Sequence, residues 1–401
     1  MTRTTYLFAS LLLIATLLPT KAGAQELTGR ITAETRAFPS APLADEQHNS
    51  TGSLAFQPEL YHAWDRGDQS ITFVPYLRLD LGDPARSHFD IRELYWQKAA
   101  RSWELKVGVA KVFWGVTEAQ HLVDIINQTD LVEQPDGEEK LGQPMVNVTW
   151  IRNWGIVDVF VLPWFRERTF PGRQGRLRAP LPVDDDLAGF DRRIDLAAQW
   201  SHTLGAFDVG VAHFYGTSRE PRLLPALDAA DRPVLSPHYD LIHQTSLDAQ
   251  YTQGAWLWKL EAIIRSGQGS RFPALAGGFE YTFSNLRNTG FDLGLLVEYL
   301  YDGRDKVDFG GRRLAPVAFE DDVFFGARLA LNDVQSTDLL AGVIIDRDTG
   351  ASALRVEAGR RLRSRWTLDL EIGSFLNTSA EDQLHGLRKD SYMQLGVSYH
   401  F

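Results

Sequence analysis

Along most of the chain, apolar and polar residues alternate one by one in segments of roughly ten residues, with turn residues between them. A period of two places one apolar and one wet face on each segment, which is the signature of a β-strand. In the run from Ile71 to Leu81, Ile71, Phe73, Leu77, Leu79 and Leu81 share one face, and Thr72, Arg78 and Asp80 share the other. Trp103, Leu105, Val107 and Val109 alternate with Glu104, Lys106 and Gly108. Phe291, Leu293, Leu295, Val297, Tyr299 and Tyr301 alternate with a face carrying Asp292, Gly294, Glu298 and Asp302.

Eighteen such segments are predicted, near 26–37, 52–64, 69–81, 88–97, 102–112, 144–153, 155–165, 192–203, 206–217, 238–252, 255–266, 273–283, 290–302, 321–332, 337–346, 350–363, 365–376 and 390–401. Segments 88–97 and 155–165 carry apolar residues on both faces, so their register is open. Connections after odd-numbered segments are mostly long or polar (38–51, 82–87, 113–143, 166–191, 218–237, 303–320, 377–389), whereas those after even-numbered segments are short. Long outer loops and short periplasmic turns mark outer-membrane barrels. The fold predicted is all-β: a transmembrane antiparallel β-barrel of about 18 strands with both termini at the periplasmic rim. The short connections after segments 11 and 15 leave 16 strands as the alternative.

Two ends of the chain fit this reading. Arg3, the apolar run Leu7 to Leu18 and the small residues Ala22-Gly23-Ala24 read as a secretory leader over residues 1–24, cleaved after Ala24, which leaves residues 25–401 as one barrel domain. At the other end Met393, Leu395, Val397, Tyr399 and Phe401 alternate to the last residue, and Tyr399 and Phe401 resemble the closing-strand signal of bacterial outer-membrane barrels. That signal implies the barrel-assembly machinery as a partner.

Composition changes the picture in three places. The chain has no cysteine, so a closed hydrogen-bonded barrel rather than disulfides must stabilise it. Its formal charge of −11, which falls to −13 on loss of Arg3 and Lys21 with the leader, excludes simple nucleic-acid binding. Its 11 Trp, 12 Tyr and 22 Phe fall often at segment ends, as at Trp64, Trp96, Trp103, Trp164, Trp200 and Trp366, where rings suit the headgroup level.

If apolar faces meet lipid, polar faces meet the lumen. Arg78, Asp80, Glu104, Lys106, Arg265 and Glu298 are its expected charges, and both signs together set a transverse field or brace the wall. Segment 113–143 follows the fifth strand and forms the third outer loop. Leu122, Val123, Ile125 and Ile126 make it too apolar for a solvated loop, so it is expected to fold into the lumen. Trp114, Glu118, His121, Asp124, Asn127 and Asp130 are then the expected pore constriction; a structural plug is the equal alternative. The run from Gly108 through Trp114-Gly115 to Asp124-Ile125-Ile126-Asn127 and Asp130 resembles a stretch in poorly characterised porin-like outer-membrane proteins of proteobacteria. These carry a Trp-Gly pair at a strand end and then Asp-x-x-Asn-x-x-Asp. This chain has Gln128 where the family more often has Pro. The resemblance implies a barrel and transport, and supplies no substrate.

The function expected is a porin-like channel in the cell outer membrane for passive or weakly selective diffusion of small hydrophilic solutes. Outer-membrane lipid and lipopolysaccharide are the expected surroundings, and a homotrimer is an expected assembly by analogy with porins. No cofactor or metal is expected: Asp184-Asp185-Asp186 lacks the alternate spacing of a calcium loop. An outer-membrane enzyme is the second reading. However, the chain lacks Gly-x-Ser-x-Gly and His-Glu-x-x-His, and the adjacent Ser201 and His202 face opposite ways on a strand. A structural or adhesin barrel with a plugged lumen is the third.

Overall fold

A computed structural model describes residues 24–309, 312–314, 317–380 and 382–401. Except for Ala24, the expected leader lies outside these residues. The strands are β1 (Ala24–Ala37), β2 (Ser50–Trp64), β3 (Gln69–Asp80), β4 (His88–Ala100), β5 (Trp103–Ala110), β6 (Gln143–Arg152), β7 (Gly155–Leu162), β8 (Asp195–Leu204), β9 (Phe207–Thr217), β10 (Arg222–Leu227), β11 (Pro233–His238), β12 (Leu241–Gln253), β13 (Trp256–Ser266), β14 (Phe272–Phe283), β15 (Asp292–Asp302), β16 (Val307–Phe309), β17 (Arg312–Leu314), β18 (Asp321–Ala330), β19 (Asp338–Asp346), β20 (Ser352–Arg363), β21 (Trp366–Leu376) and β22 (Tyr392–His400). Eighteen of them form one antiparallel sheet, each strand pairing with its neighbours, and β22 pairs with β1 to close the ring. The strand number is therefore 18, and the alternative of 16 falls. Two small hairpins, β10–β11 and β16–β17, lie within connections and leave the ring intact.

The closure rests on the last residues. Thr35 faces Leu395 and Ile31 faces Tyr399 across the seam. Phe401 exchanges backbone hydrogen bonds with Gly29 and stacks its ring on Phe56, the centroids 6.1 Å apart. Tyr399 packs on Trp366 at 5.1 Å. A closed ladder leaves no sheet edge to solvate, which a bilayer requires.

Period-two alternation sorts the side chains as the sequence predicts. Leu27, Leu54, Ile71, Leu79, Val107, Trp258, Leu295 and Leu395 stand exposed on the exterior. On the opposite face of the strands, Arg78, Arg92, Gln244, Glu261 and Glu298 turn inward and are buried. Aromatic rings gather where short turns join the strands: Phe207 on Tyr251 at 4.3 Å, Trp256 on Tyr281 at 4.6 Å.

The two segments of open register have separate causes. In β4, Arg92 is an extra residue: Val74 faces Glu93 while Pro75 faces Ile91. This β-bulge inverts the phase, so Phe89 and Ile91 before it and Leu94 and Trp96 after it all face outward. In β7 no bulge occurs. Val157, Val159 and Val161 face outward beside Trp150, Val148 and Val146, while Phe160 and Leu162 face inward and are buried. The interior is thus not polar throughout, which corrects the expectation that every inward face is wet. Across β5–β9 and β12–β15 much of the inner face is apolar, including Met145, Phe160, Phe214, Ile242, Ile263 and Leu300.

Candidate functional site

The inner apolar face is covered by the connection between β5 and β6. Trp114, Leu122, Val123, Ile125 and Ile126 belong to one buried cluster with it, Ile126 fully enclosed. Burial of each such side chain is worth about 2 kcal/mol, enough to draw a loop of this length off the rim. Trp114 meets Phe160 edge-on, with centroids 5.7 Å apart.

Polar contacts then fix the loop to the wall. The Glu261 carboxylate accepts from the backbone N–H groups of Val116 (2.7 Å), Thr117 (3.0 Å) and Val123 (3.1 Å), and from the Thr117 hydroxyl (2.7 Å). Glu298 accepts from the N–H groups of Glu118 (2.8 Å) and Ala119 (2.9 Å). Glu118 reaches Arg328 at 2.8 Å and Lys259 at 3.6 Å. On the far side, Glu133 pairs with Arg78 at 2.7 Å and accepts from the Tyr76 hydroxyl at 2.6 Å. Asp136 pairs with Arg355, and Gln134 donates to Glu371. The segment therefore contacts β3, β13, β15, β18, β20 and β21, spanning the ring.

Every residue of the Trp-Gly and Asp-x-x-Asn-x-x-Asp stretch anchors this segment. Gly115 has φ of +143°, and a Cβ there would lie 2.9 Å from a Glu261 oxygen and 3.0 Å from His121 Nδ1. Only glycine tolerates both demands. Asp124 sits 3.3 Å from Lys140 and accepts from the Trp114 N–H. Burial raises its carboxyl pKa, and Lys140 only partly offsets this. Asn127 accepts from the Val112 N–H at 2.8 Å and donates to the carbonyls of Ala110 (2.9 Å) and Leu141 (2.8 Å), clipping the two ends of the loop together. Asp130, fully enclosed, pairs with Arg92 and accepts from the Thr169 hydroxyl. Trp114, Asp124, Asn127 and Asp130 thus lie within packed contacts, away from open space. Glu118 and His121 are partly exposed. His121 stands between Glu138 (3.4 Å) and Glu261 (3.7 Å). Burial disfavours its charged form, but the two carboxylates outweigh this and raise its pKa to about 10.

The other expected lumen charges are scattered. Arg78 is buried between Glu34 and Glu133. Asp80 caps the Gly82–Asp83 turn and pairs with Arg86 at the long-loop rim. Glu104 accepts from Gln97, and Lys106 lies over the Tyr95 ring. Arg265 donates to Gln244 and pairs with Glu220. Glu298 holds the loop as described.

On the β19–β22 and β1–β3 side, which the apolar cluster leaves uncovered, the interior holds a cavity of about 360 Å³. Its wall carries Arg30, Arg78, Arg92, Lys111 and Arg355 against Glu34, Glu133, Glu139, Asp338, Glu357, Asp369 and Glu371. Several of these escaped the sequence reading. The phase break in β4 was the available signal for Arg92. Nothing local marks Glu133, whose partners lie 55 and 57 positions away. Its carboxyl, which burial works to raise, is held below the ordinary value by the guanidiniums of Arg78 and Arg86. His88, Asp130 and Glu133 come close enough to hold a metal ion. Arg78 and Arg92 already occupy the two carboxylates, so the donor set does not suit a cation.

No family model matches this chain, and no curated protein sequence matches it. Its barrel is similar to solved porins. The OccK3 (OpdO) structure from Pseudomonas aeruginosa aligns over 95% of this chain and 96% of its own, at 10% identity and a TM-score of 0.56. A second OpdO structure aligns over 94% and 97%, at 11% identity and the same TM-score. A mutant of the Rh. blastica porin aligns over 94% and 100%, at 11% identity and a TM-score of 0.45. The OpdO likeness establishes the fold: a porin-type barrel.

Proposed function

We propose that this chain is an outer-membrane channel through which small hydrophilic solutes diffuse, with the segment between β5 and β6 narrowing the lumen. The observation that carries this reading is the charged cavity left beside that segment. A plug made only to brace the wall would need no hydrated space lined by ionised groups. Seven carboxylates face five cationic side chains there, which favours cations weakly. In this reading the constriction is formed by Glu133, Glu139 and Lys111 of the loop facing Arg30, Glu357 and Asp369 of the wall, while Trp114, Asp124, Asn127 and Asp130 hold the loop in place.

The exterior belt and the aromatic rings at the short-turn ends support lipid as the surroundings, with lipopolysaccharide outside the long loops. Engagement of β22 by the barrel-assembly machinery and a homotrimeric state belong to the same proposal. Purified, refolded protein in a planar bilayer is expected to give discrete conductance steps. A silent bilayer would refute the channel, and hydrolysis of the lipid would favour an enzyme instead.

A further inference from the structure

Most charges that line the cavity answer one another. Arg78 takes Glu34 at 3.2 Å and Glu133 at 2.7 Å, Arg92 takes Asp130, Lys111 lies 3.6 Å from Glu139, and Glu357 and Glu371 share Arg355. Three residues of the same wall make no ion pair among the described residues: Asp338, Asp369 and Arg30. All three are exposed to the lumen. The acids stand on β19 and β21 and the base on β1, so the unanswered charges are sorted across the cavity. The Arg30 guanidinium is steadied by neutral Gln57, which accepts from Nε at 3.2 Å and Nη2 at 2.9 Å.

Register sets the spacing of these charges. Glu34, Gly396, Asp369, Gly359 and Asp338 stand side by side across β1, β22, β21, β20 and β19. Side chains therefore rise from every second strand of this row, with a furrow over each glycine. The Asp338 carboxylate leans into the furrow over β20: a Cβ on Gly359 would lie 3.1 Å from its Oδ1. Asp369 flanks the same furrow from the other side, and it feels both Arg30 and Asp338 electrostatically. Arg30 projects from β1 two inward positions below Glu34. Between it and Asp369 the wall is Gly396 together with Thr32 and Ser398, whose hydroxyls bond each other at 2.8 Å. Strands β1 and β21 are two spacings apart, about 10 Å, so the opposed charges are held well separated over an uncharged floor.

We propose that the solute this cavity favours is an elongated zwitterion, whose ammonium enters the furrow between Asp338 and Asp369 and whose carboxylate, several bonds away, reaches Arg30. A simple cation leaves Arg30 unanswered, and a simple anion meets two aspartates. An α-amino acid carries both charges on neighbouring atoms, too close together to meet both walls. An ω-amino carboxylate, or a peptide of a few atoms more, matches the separation. The inference rests on the channel reading.

The test is swelling of lipid vesicles that carry the refolded full chain, in isosmotic γ-aminobutyrate or α-aminobutyrate. The two are net-neutral isomers of one composition, so neither size nor net charge separates them. Butanediol serves as the uncharged reference within each variant and reports that the barrel is folded and open. Relative to butanediol, the γ isomer is expected to enter faster than the α isomer by up to about threefold, the effect of one charge contact across water. The double variant Asp338→Asn with Asp369→Asn removes the ammonium site, and Arg30→Gln removes the carboxylate site; each should erase the difference between the isomers. Equal entry of both isomers in the native chain, or a difference undiminished in both variants, overturns the zwitterion while butanediol entry upholds the channel. Vesicles that swell in none of the three solutes overturn the channel, and the zwitterion with it.

Discussion

The Glu261 carboxylate accepts two hydrogen bonds from Thr117, one from the backbone N–H at 3.0 Å and one from the hydroxyl at 2.7 Å, across 144 positions of sequence. The side chain of Glu261 is completely buried, so it has no water to fall back on. In exchange for that desolvation it collects four donors from one loop, which a carboxylate with two oxygens can satisfy. Glu261→Ala strips those donors of their acceptor, and each one left buried costs about 1–3 kcal/mol. The loop is expected to leave the wall instead, and single-channel conductance to rise. Unchanged conductance would show that this contact does not set the width of the lumen.

Asn127 predicts a different outcome. Its amide joins the start of the loop at Ala110 and Val112 to its end at Leu141, where β6 is about to begin. Asn127→Ala removes three hydrogen bonds from a site 1% exposed, at about 2–4 kcal/mol in all. A lower denaturant midpoint for the refolded barrel is expected, with noisier open-channel current but the same charge preference. A shift in charge preference would mean that the side chain meets the permeant after all.

These two residues show what was legible in the sequence. All 18 strands were, because alternation is a local property and a barrel uses it throughout; Ile71 to Leu81 needs no partner to declare its faces. The loop's burial was legible too, since Leu122, Val123, Ile125 and Ile126 have no reason to face water. The bulge at Arg92 hid one register and the apolar inner face of β7 another, each through a neighbour that alternation does not reveal. The buried partners of Asn127 and Asp130, both expected at the constriction, were hidden for the same reason. A polar residue in a lumen loop reads as solvent-facing until its buried partners, here Ala110, Leu141 and Arg92, are known.

His121 makes stability pH-dependent. Its pKa, 6.5 in a free side chain, rises to about 10 between Glu138 and Glu261. The folded protein therefore holds a proton that the unfolded chain has released between those values. The stabilisation from His121 is fully present below pH 6.5 and is lost as pH rises through 10. Unfolding measured from pH 7 to 10 should show a midpoint falling with pH in the native chain and a flatter profile in His121→Gln. Parallel profiles would exclude His121 as the titrating group.

Charge preference should follow the cavity wall. Asp338 and Asp369 make no ion pair among the described residues, whereas Glu357 and Glu371 share Arg355. The unpaired pair therefore offers more net field to a passing ion. A unit charge about 6 Å away in water is worth roughly 0.7 kcal/mol, or about threefold in local ion concentration, and salt screens this further. Asp369→Asn is accordingly expected to lower the cation-to-anion permeability ratio by up to about threefold, and Glu357→Gln by less, because it also frees Arg355 from one partner. Reversal potentials under a potassium chloride gradient read the ratio directly, and the shift should fade as salt rises. The opposite sign is expected for Arg30→Gln, since Arg30 donates to the neutral Gln57 and makes no ion pair among the described residues. If all three variants leave the reversal potential where it was, ions do not pass along this wall, and the cavity is not the conducting path.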